Sequence, residues 1–168
     1  LTVVLPKKDC IPDSVTGGLS TVAVRIPAHS VANALIAKAG VPIAAPSANL
    51  SGKPSPTRAA HVIADLDGKI DAILTADACE IGVESTIVMI GEDETVSLLR
   101  PGAITYEMLL CVMEREIKID PAILQKSEAR PLAPGMQYRH YAPQAEMTLV
   151  EGEMERVIEF INREAKLA

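Results

Sequence analysis

Hydroxyl, amide and guanidinium side chains are the groups in this sequence that could do chemistry, and they stand where apolar runs begin or end. No histidine or cysteine lies beside a serine in a spacing typical of a nucleophile and its base, and no paired carboxylates stand out. Hydroxyls and arginines without a base suit a site that positions phosphates and carboxylates, where proximity and electrostatics lower the barrier. The pattern favours nucleotidyl or phosphoryl chemistry. The set comprises Thr21, Arg25, Ser47, Asn49, Ser51, Ser55, Ser85, Thr86 and Arg100.

The densest group of these side chains lies in residues 41–57. An apolar run at 41–45 predicts a strand, the small polar residues after it stand among prolines and Gly52, and Thr57 is placed to cap a helix. Ligands in α/β proteins gather at the carboxyl ends of strands, so this loop is a candidate binding site. The same residue types are also ordinary turn formers. Their recurrence at other predicted strand ends favours the binding site.

Two further features bring charge to predicted strands. Arg25 lies on the apolar strand predicted at 21–26, so it either faces solvent or holds an anionic ligand, and the sequence leaves both readings open. Residues 84–90 and 95–100 predict a hairpin. Because antiparallel partners lie side by side, Ser85 and Thr86 are expected next to Arg100.

The remaining pattern predicts alternating strands and helices. Strands are expected at 1–5, 70–75 and 147–150, and helices at 30–39 before Gly40, after Thr57, after Thr105 and at 153–167. Residues 118–144 carry several prolines and few periodic apolar positions, which is typical of a long linker. The fold class predicted is α/β.

Composition narrows the function classes. The net charge of −6, with one Phe, three Tyr and no Trp, argues against a stacking platform for nucleic acid, so RNA binding is a secondary prediction. Three widely spaced cysteines indicate reduced thiols and a cytoplasmic protein, and they do not form a zinc site with the three histidines. No apolar run approaches the ~20 residues of a membrane span, so no membrane partner is expected.

Four motifs occur along the chain in a characteristic order. They are Ser47-Ala48-Asn49-Leu50-Ser51-Gly52 with Ser55-Pro56-Thr57, Glu84-Ser85-Thr86-Ile87-Val88, Leu99-Arg100-Pro101-Gly102, and Pro134-Gly135-Met136-Gln137-Tyr138-Arg139-His140-Tyr141-Ala142-Pro143. In this order and spacing they resemble the YrdC/Sua5 family, and the last resembles the interdomain linker of its longer, Sua5-type members. The resemblance covers residues 1–143.

The resemblance implies a fold and a domain division. The expected fold is a YrdC-like twisted open mixed sheet flanked by helices, followed by a linker and the start of a second, Rossmann-like α/β domain. Residues 1–116 would be the C-terminal portion of the catalytic domain, 117–144 the linker or lid, and 145–168 the start of the Sua5-type C-terminal domain. A chain lacking the family's N-terminal portion is expected to be weakly active or inactive alone.

The resemblance also implies L-threonylcarbamoyladenylate synthesis, which forms threonylcarbamoyl-AMP and pyrophosphate from L-threonine, bicarbonate and ATP for the t6A modification of tRNA. Mg²⁺ would accompany ATP, and a separate tRNA threonylcarbamoyl transferase would receive the product. The implied ATP contacts are Thr21, Ser47, Asn49, Ser55, Arg100, Tyr138 and His140. The implied threonine contacts are Arg25, Ala45 and Ser85, and the implied lid is Tyr138, His140 and Tyr141. No catalytic residue and no protein metal ligand is assigned.

Two alternatives from other classes remain at this point. One is a module that binds double-stranded RNA or tRNA, whose binding would weaken steeply as salt rises. The other is a carbamoyl-adenylate-forming domain related to hydrogenase maturation, which would use carbamoyl phosphate in place of threonine and bicarbonate. The linker motif favours the Sua5 type over this second alternative.

Overall fold

In the part of the chain that the structure describes, five strands form one mixed sheet, two from the start of the chain and three from residues 87–119. The computed structural model describes residues 1–113, 115–124 and 148–166. Its strands are β1 (Thr2–Pro6), β2 (Thr21–Val24), β3 (Ile87–Ile90), β4 (Val96–Arg100) and β5 (Ile117–Ile119). Its helices are α1 (Asp13–Thr16), α2 (Ser30–Ala39), α3 (Ala59–Leu66), α4 (Tyr106–Met113), α5 (Pro121–Leu124) and α6 (Met154–Glu164).

The sheet has the strand order β2-β1-β3-β4-β5. β1 pairs antiparallel with β2 and parallel with β3, so that Val3 lies opposite both Val24 and Val88. β3 and β4 form the antiparallel hairpin, with Ile87 opposite Arg100, and β5 adds to β4 in parallel. The mixed sheet and its helices confirm the predicted α/β class.

The core lies on both faces of this sheet. One buried cluster contains Val88, Leu98 and Leu109 of α4, and a second contains Ile87 and Leu99. Because successive side chains along a strand point to opposite faces, the two clusters lie on opposite sides of the hairpin. The hairpin is therefore the best-buried part of the described chain, and it fixes the residues at its open end.

Several predicted elements are confirmed. Helix α2 spans the predicted residues and ends at Gly40, whose φ of 66° is the left-handed conformation that glycine adopts readily. Thr105 caps α4, since its Oγ1 accepts a hydrogen bond from the Met108 N–H at 3.3 Å. The predicted hairpin is present, and α6 lies within the helix predicted at 153–167.

Other predicted elements are wrong. Residues 41–45 and 70–75 form no strand, and their apolar side chains, Val41 and Leu74 among them, are exposed. Thr57 does not cap α3, which begins after Arg58. Residues 148–150 form no strand, and residue 147 lies outside the described residues. A strand requires a partner edge as well as β-forming residues, and none pairs with these segments in the described part of the chain.

The stretch interpreted as linker begins inside the sheet. Strand β5 and helix α5 fall in the range 117–144, and β5 pairs with β4, so residues 117–124 are not an extended connection. Residues 125–144 lie outside the described residues, and the domain division as a whole remains a prediction. In the described ranges, no helix has the length and apolar character needed to cross a membrane.

Candidate functional site

Arg100 and Ser85 meet at the open end of the β3–β4 hairpin. Arg100 is the last residue of β4, and Ser85 lies just before β3. The Arg100 Nε donates to the Ser85 backbone oxygen at 3.0 Å, and its Nη2 donates to the Ser85 Oγ at 3.2 Å. The Arg100 side chain is only 19% exposed. The guanidinium is therefore held in one orientation beside a hydroxyl, as the hairpin predicted.

Glu84 and Ser55 extend this group toward the polar loop. The Glu84 Oε2 lies 3.4 Å from the Arg100 Nη2, and the Ser55 Oγ donates to the Glu84 Oε1 at 2.5 Å. Ser55 lies in the loop between α2 and α3, whereas Glu84 lies just before β3. One carboxylate thus connects a loop hydroxyl with the hairpin arginine. We call Ser55, Glu84, Ser85 and Arg100 the Arg100 cluster.

A strand from the start of the chain supports the cluster from one side. The hydroxyls of Thr2 and Ser85 lie 2.9 Å apart, and the Thr2 N–H donates to the Thr86 backbone oxygen at 2.8 Å. Thr86 itself is buried, and its Oγ1 donates to the Ile104 backbone oxygen at 2.6 Å. These bonds satisfy the hydroxyl and the backbone oxygen of Thr86 and help to fix the backbone next to Ser85.

Gly102 allows the chain to close tightly behind the cluster. A Cβ at this position would lie 2.5 Å from both the Glu84 backbone oxygen and the Thr86 backbone nitrogen. Those neighbours are main-chain atoms and cannot rotate away. Glycine at 102 therefore lets the residues after β4 pack against the segment before β3 that carries Glu84 and Ser85.

The polar loop is fastened to helix α3 by a carboxylate. Asp65 of α3 accepts a hydrogen bond from the Leu50 N–H at 3.2 Å and forms an ion pair with Lys53, and the Lys69 Nζ donates to the Asp65 backbone oxygen at 2.8 Å. The hydrogen bond from Lys53 holds the pKa of the Asp65 carboxyl below its usual value, although burial opposes the shift. The side chain is only 9% exposed, so the paired carboxylate lies largely out of solvent.

Asn49 closes the loop from within. Its Nδ2 donates to the backbone oxygens of Leu50 and Lys53, both at 2.9 Å. Its Oδ1 is buried and has no hydrogen-bond partner among the residues that the structure describes. An orphaned buried acceptor is costly, so this oxygen is suited to receive a donor from a ligand.

Comparisons with known proteins decide the family. The family profile Sua5_yciO_yrdC, described as "Telomere recombination", matches residues 1–102. The chain belongs to the Sua5/YciO/YrdC family. A second profile, "Threonylcarbamoyl-AMP synthase, C-terminal domain", matches residues 104–167. Strand β5 of this second range pairs with β4 of the first.

Curated relatives and a solved structure agree with this assignment. The chain is 53% identical over 157 residues to a Pyrococcus abyssi protein named threonylcarbamoyl-AMP synthase, covering 94% of the chain and 46% of that relative. It is 51% identical over 158 residues to a Bacillus subtilis protein of the same name, covering 94% and 45%. The crystal structure of P. abyssi Sua5 complexed with L-threonine has a TM-score of 0.89 and 50% identity, covering 99% of the chain and 48% of that structure. The chain thus spans about half the length of the relatives it matches.

The structure of this Sua5/YrdC chain unites some of the predicted contact residues. Ser55, Ser85 and Arg100 lie in one bonded group. Thr21 is half-buried at the start of β2, opposite Pro6. Among the described residues, no hydrogen bond or ion pair joins Arg25, Ala45 or Ser47 to the Arg100 cluster, and all three are exposed. Tyr138, His140 and Tyr141 lie outside the described residues. The assignment of ligands to all these residues remains a prediction.

An open groove of about 310 Å³ lies beside the loop rather than at the cluster. It is formed by the start of α3 and the extended segment 70–77, and it includes Ala48 and Thr57 but neither Ser85 nor Arg100. The groove is mostly apolar. We therefore base the candidate site on the hydrogen-bonded cluster and loop.

Four residues of the site were not assigned a role from sequence. Glu84 precedes Ser85 in one of the four motifs, and this position was the sequence signal that could have indicated a role for Glu84. Thr2 came within reach only through the pairing of β1 with β3, residues that are far apart in the chain. Asp65 and Lys53 are a carboxylate and an ammonium 12 residues apart across a loop, a spacing that carries no recognisable signal.

Proposed function

We propose that this chain is part of an L-threonylcarbamoyladenylate synthase, which forms threonylcarbamoyl-AMP and pyrophosphate from L-threonine, bicarbonate and ATP for the t6A modification of tRNA. The observation that carries the proposal is the 53% identity to a relative named threonylcarbamoyl-AMP synthase across 94% of the chain. The reaction needs groups that hold phosphates and a carboxylate. The Arg100 cluster and the polar loop supply such groups.

The chemistry that we propose needs positioning more than proton transfer from the protein. The threonine amine adds to bicarbonate with loss of water and gives a carbamate, whose oxygen then attacks the α-phosphorus of ATP and releases pyrophosphate. Negative charge is concentrated on the phosphates throughout. Arg100 is the group proposed to stabilise it, because a guanidinium held by two hydrogen bonds to Ser85 needs little reorganisation during the reaction.

Separate roles are proposed for the loop and hairpin residues. Ser55 is proposed to contact ATP, and Ser85 the amino acid. The Asn49 Nδ2 donates hydrogen bonds to two backbone oxygens of the loop. Its buried Oδ1 is proposed to accept a hydrogen bond from the amino group of adenine. Thr21, Ser47, Tyr138 and His140 are further proposed ATP contacts, and Arg25 and Ala45 further threonine contacts.

Mg²⁺ is proposed to arrive with ATP. In residues 1–113, 115–124 and 148–166 no group of three or more His, Cys, Asp or Glu side chains is placed to hold a metal ion. Glu84 is engaged with Ser55 and Arg100, and Asp65 with Lys53. The protein's described carboxylates therefore do not fit a dedicated metal site, and phosphate oxygens and water are the proposed ligands.

Further partners and the location follow from the same proposal. A separate tRNA threonylcarbamoyl transferase would receive the product, and the cytoplasm is the proposed compartment because tRNA and ATP are available there. Direct RNA binding is the lesser candidate, since the net charge is −6. The match of residues 104–167 to the threonylcarbamoyl-AMP synthase C-terminal domain supports the Sua5 type over a hydrogenase-maturation domain.

Calorimetric titration tests the proposal. The chain is titrated with Mg·ATP with and without saturating L-threonine, and pyrophosphate release is followed in the presence of bicarbonate. ATP binding that is strengthened by threonine and lost in Arg100→Ala is the expected result. Arg115→Ala is the matched control, because Arg115 pairs instead with Glu94 on the hairpin turn. A folded chain that binds neither ligand, or that responds equally to both substitutions, would contradict the proposal.

A further inference from the structure

We propose that Glu84 is a positioning residue that couples the ATP half of the site to the threonine half, by holding the polar loop against Arg100 and Ser85. The inference rests on the proposed function and deepens it. It assigns a role to a carboxylate for which the sequence suggested none, at the junction of three predicted ligand contacts.

The contacts of Glu84 divide between the two halves of the site. Its Oε1 accepts from the Ser55 hydroxyl, a predicted ATP contact 29 residues earlier in the chain. Its Oε2 lies 3.4 Å from the Arg100 Nη2, and that same nitrogen donates to the hydroxyl of Ser85, a predicted threonine contact. Glu84 therefore contacts the loop through one hydrogen bond and contacts Arg100, which is bonded to Ser85, through one ion pair.

The carboxylate is sheltered enough for these contacts to matter. The Glu84 side chain is 32% exposed and that of Arg100 is 19% exposed, so the ion pair is partly screened from solvent. Hydrogen bonds to charged groups are stronger than those between neutral groups, and Glu84 accepts one from the Ser55 hydroxyl while it forms an ion pair with the Arg100 guanidinium. A bridge of this kind restrains both partners at once.

A second carboxylate, that of Asp65, also holds the loop, but it connects the loop to a different element. Asp65 holds the loop through the Leu50 N–H and Lys53, and its other contact is with Lys69. Asp65 thus fixes the loop to α3, whereas Glu84 fixes the loop to the hairpin. Of these two carboxylates, only Glu84 touches Arg100 among the described contacts. The pair provides a matched comparison: both restrain the loop, and one also joins it to the threonine side.

A shared restraint makes two ligands interdependent. Threonine bound beside Ser85 would further restrain the contacts of Ser85 with Arg100, and through Glu84 it would restrain Ser55 before ATP arrives, so ATP would lose less conformational entropy on binding. Coupling free energies between sites typically correspond to ~5- to 150-fold changes in affinity, and the effect is reciprocal. Removal of Glu84 is expected to abolish this factor.

The first experiment needs no ligand. Amide hydrogen exchange is measured on the wild-type chain and on Glu84→Ala, Glu84→Gln and Asp65→Asn, each checked for folding by circular dichroism. Glu84→Ala is expected to raise exchange ~10-fold or more around Ser55, whereas Asp65→Asn raises it around Leu50. Glu84→Gln retains the length and an acceptor for Ser55, so its exchange near Ser55 is expected to stay close to that of the wild type. Unchanged exchange near Ser55 in Glu84→Ala would overturn the proposal.

The second experiment measures the coupling itself. The dissociation constant of Mg·ATP is determined with and without saturating L-threonine, and the ratio is compared among variants. The wild-type ratio is expected to be ~5 or more, and the ratio for Glu84→Ala to fall to within about twofold of 1. Asp65→Asn is expected to weaken ATP binding with its ratio preserved, and Glu84→Gln to show an intermediate ratio. If both substitutions acted only by damaging the loop, Glu84→Ala and Asp65→Asn would both weaken ATP binding, but the effect of threonine on the dissociation constant would be the same in the two variants.

The outcomes separate this inference from the proposed function. A wild-type chain that binds neither ligand contradicts the proposed function, while hydrogen exchange still decides whether Glu84 holds the loop. A wild-type chain that binds both ligands without coupling, or a Glu84→Ala chain that keeps the full ratio, overturns the inference and leaves the proposed function standing.

Discussion

At the scale of single residues, Arg100 illustrates why a guanidinium cannot be replaced by an ammonium. Its Nε and Nη2 donate to two different oxygens of Ser85, a geometry that a planar fork provides and a lysine does not. Arg100→Lys retains the charge but loses the orientation. We expect it to weaken Mg·ATP binding about 10- to 100-fold, since hydrogen bonds to charged groups contribute about 1.5–3 kcal/mol.

Calorimetric titration checks this expectation, with Arg115→Lys as the control. Arg115 also pairs with a glutamate, Glu94 on the hairpin turn, but its side chain is about half exposed and it lies between α4 and β5. An Arg100→Lys chain that binds Mg·ATP as tightly as the control would show that charge alone is sufficient at this position.

Asp65 predicts how stability depends on pH. The Lys53 hydrogen bond lowers the pKa of this carboxyl in the folded chain, so its stabilising contribution is present above the unfolded pKa of about 3.9 and is lost as the pH falls through the lower folded value. We therefore expect the free energy of unfolding to fall more steeply below about pH 4 in the wild type than in Asp65→Asn. Urea denaturation at a series of pH values checks this difference.

Comparing the wild type with Asp65→Asn separates the effect of the Asp65 carboxyl on pH-dependent stability from the effects of other carboxyls. The pKa values of Asp13 and Asp93 are also lowered, by Lys7 and by Thr95 respectively, and both groups remain intact in the variant. Parallel pH curves for the two chains would mean that Asp65 titrates alike in the folded and unfolded states.

Sequence reasoning singled out three of the four residues of the Arg100 cluster, but it predicted only one of the contacts among them. The adjacency of Ser85 and Arg100 follows from hairpin geometry, and the structure confirms it. The link from Ser55 to Glu84 joins a loop to the segment before β3, which is distant in the chain, and no local periodicity specifies such a contact. Residue types could therefore suggest phosphate and carboxylate chemistry, whereas the contacts of Glu84 are visible only in the folded structure.

At the scale of elements, the turn after β4 depends on Gly102. A Cβ there would meet main-chain atoms of Glu84 and Thr86 at 2.5 Å, so either the turn or the start of β3 would have to move. We expect Gly102→Ala to destabilise the fold by about 3 kcal/mol, at the upper end of the range for overpacking. It should also displace Glu84 and so weaken ligand binding.

Gly82 provides the matched control for that substitution. It lies shortly before the same strand, a Cβ added to it would meet no other atom within 4 Å, and its φ is not in the left-handed region. Gly82→Ala should therefore stay within about 0.5 kcal/mol of the wild type. Thermal unfolding of both variants checks the pair, and equal midpoints would contradict the close approach at Gly102.

Elements with clear local signals were predicted correctly, but two segments with only β-forming composition were not. Helix α2 has its apolar periodicity and a terminal glycine within one short stretch, and the β3–β4 hairpin pairs segments that are close in sequence. Residues 41–45 and 70–75 have β-forming composition but no paired edge among the described residues. Strand propensity reflects burial against neighbours, so composition alone cannot supply the missing partner.

At the scale of the whole molecule, stability is expected to depend on the hairpin core rather than on the apolar residues as a class. Leu99 is 1% exposed, whereas Val112 of α4 is 82% exposed. Leu99→Ala should destabilise the fold by about 2–5 kcal/mol, because it leaves a cavity among packed side chains. Val112→Ala should change stability by no more than about 0.5 kcal/mol. Urea unfolding of the two variants checks the contrast, and similar midpoints would mean that the sheet core is not the main source of stability.

The α/β class and the family could be predicted from the sequence because both rest on order along the chain. Motif order points to the family, and apolar periodicity points to layered packing. The position of β5 could not be predicted in the same way. Its three residues form a strand only because the exposed edge of β4 lies beside them, and that edge exists only after the hairpin has formed.

The pairing of β1 with β3 has a consequence for the route by which the chain folds. The hydroxyls of Thr2 and Ser85 meet although these residues are 83 positions apart in the chain, whereas β3 and β4 are joined by a short turn. A hairpin forms in about 1–10 μs, but a long-range parallel pairing must first overcome the entropy of closing a large loop. We therefore expect the hairpin to form first, and β1 to join it in a later, slower step that completes the cluster around Arg100.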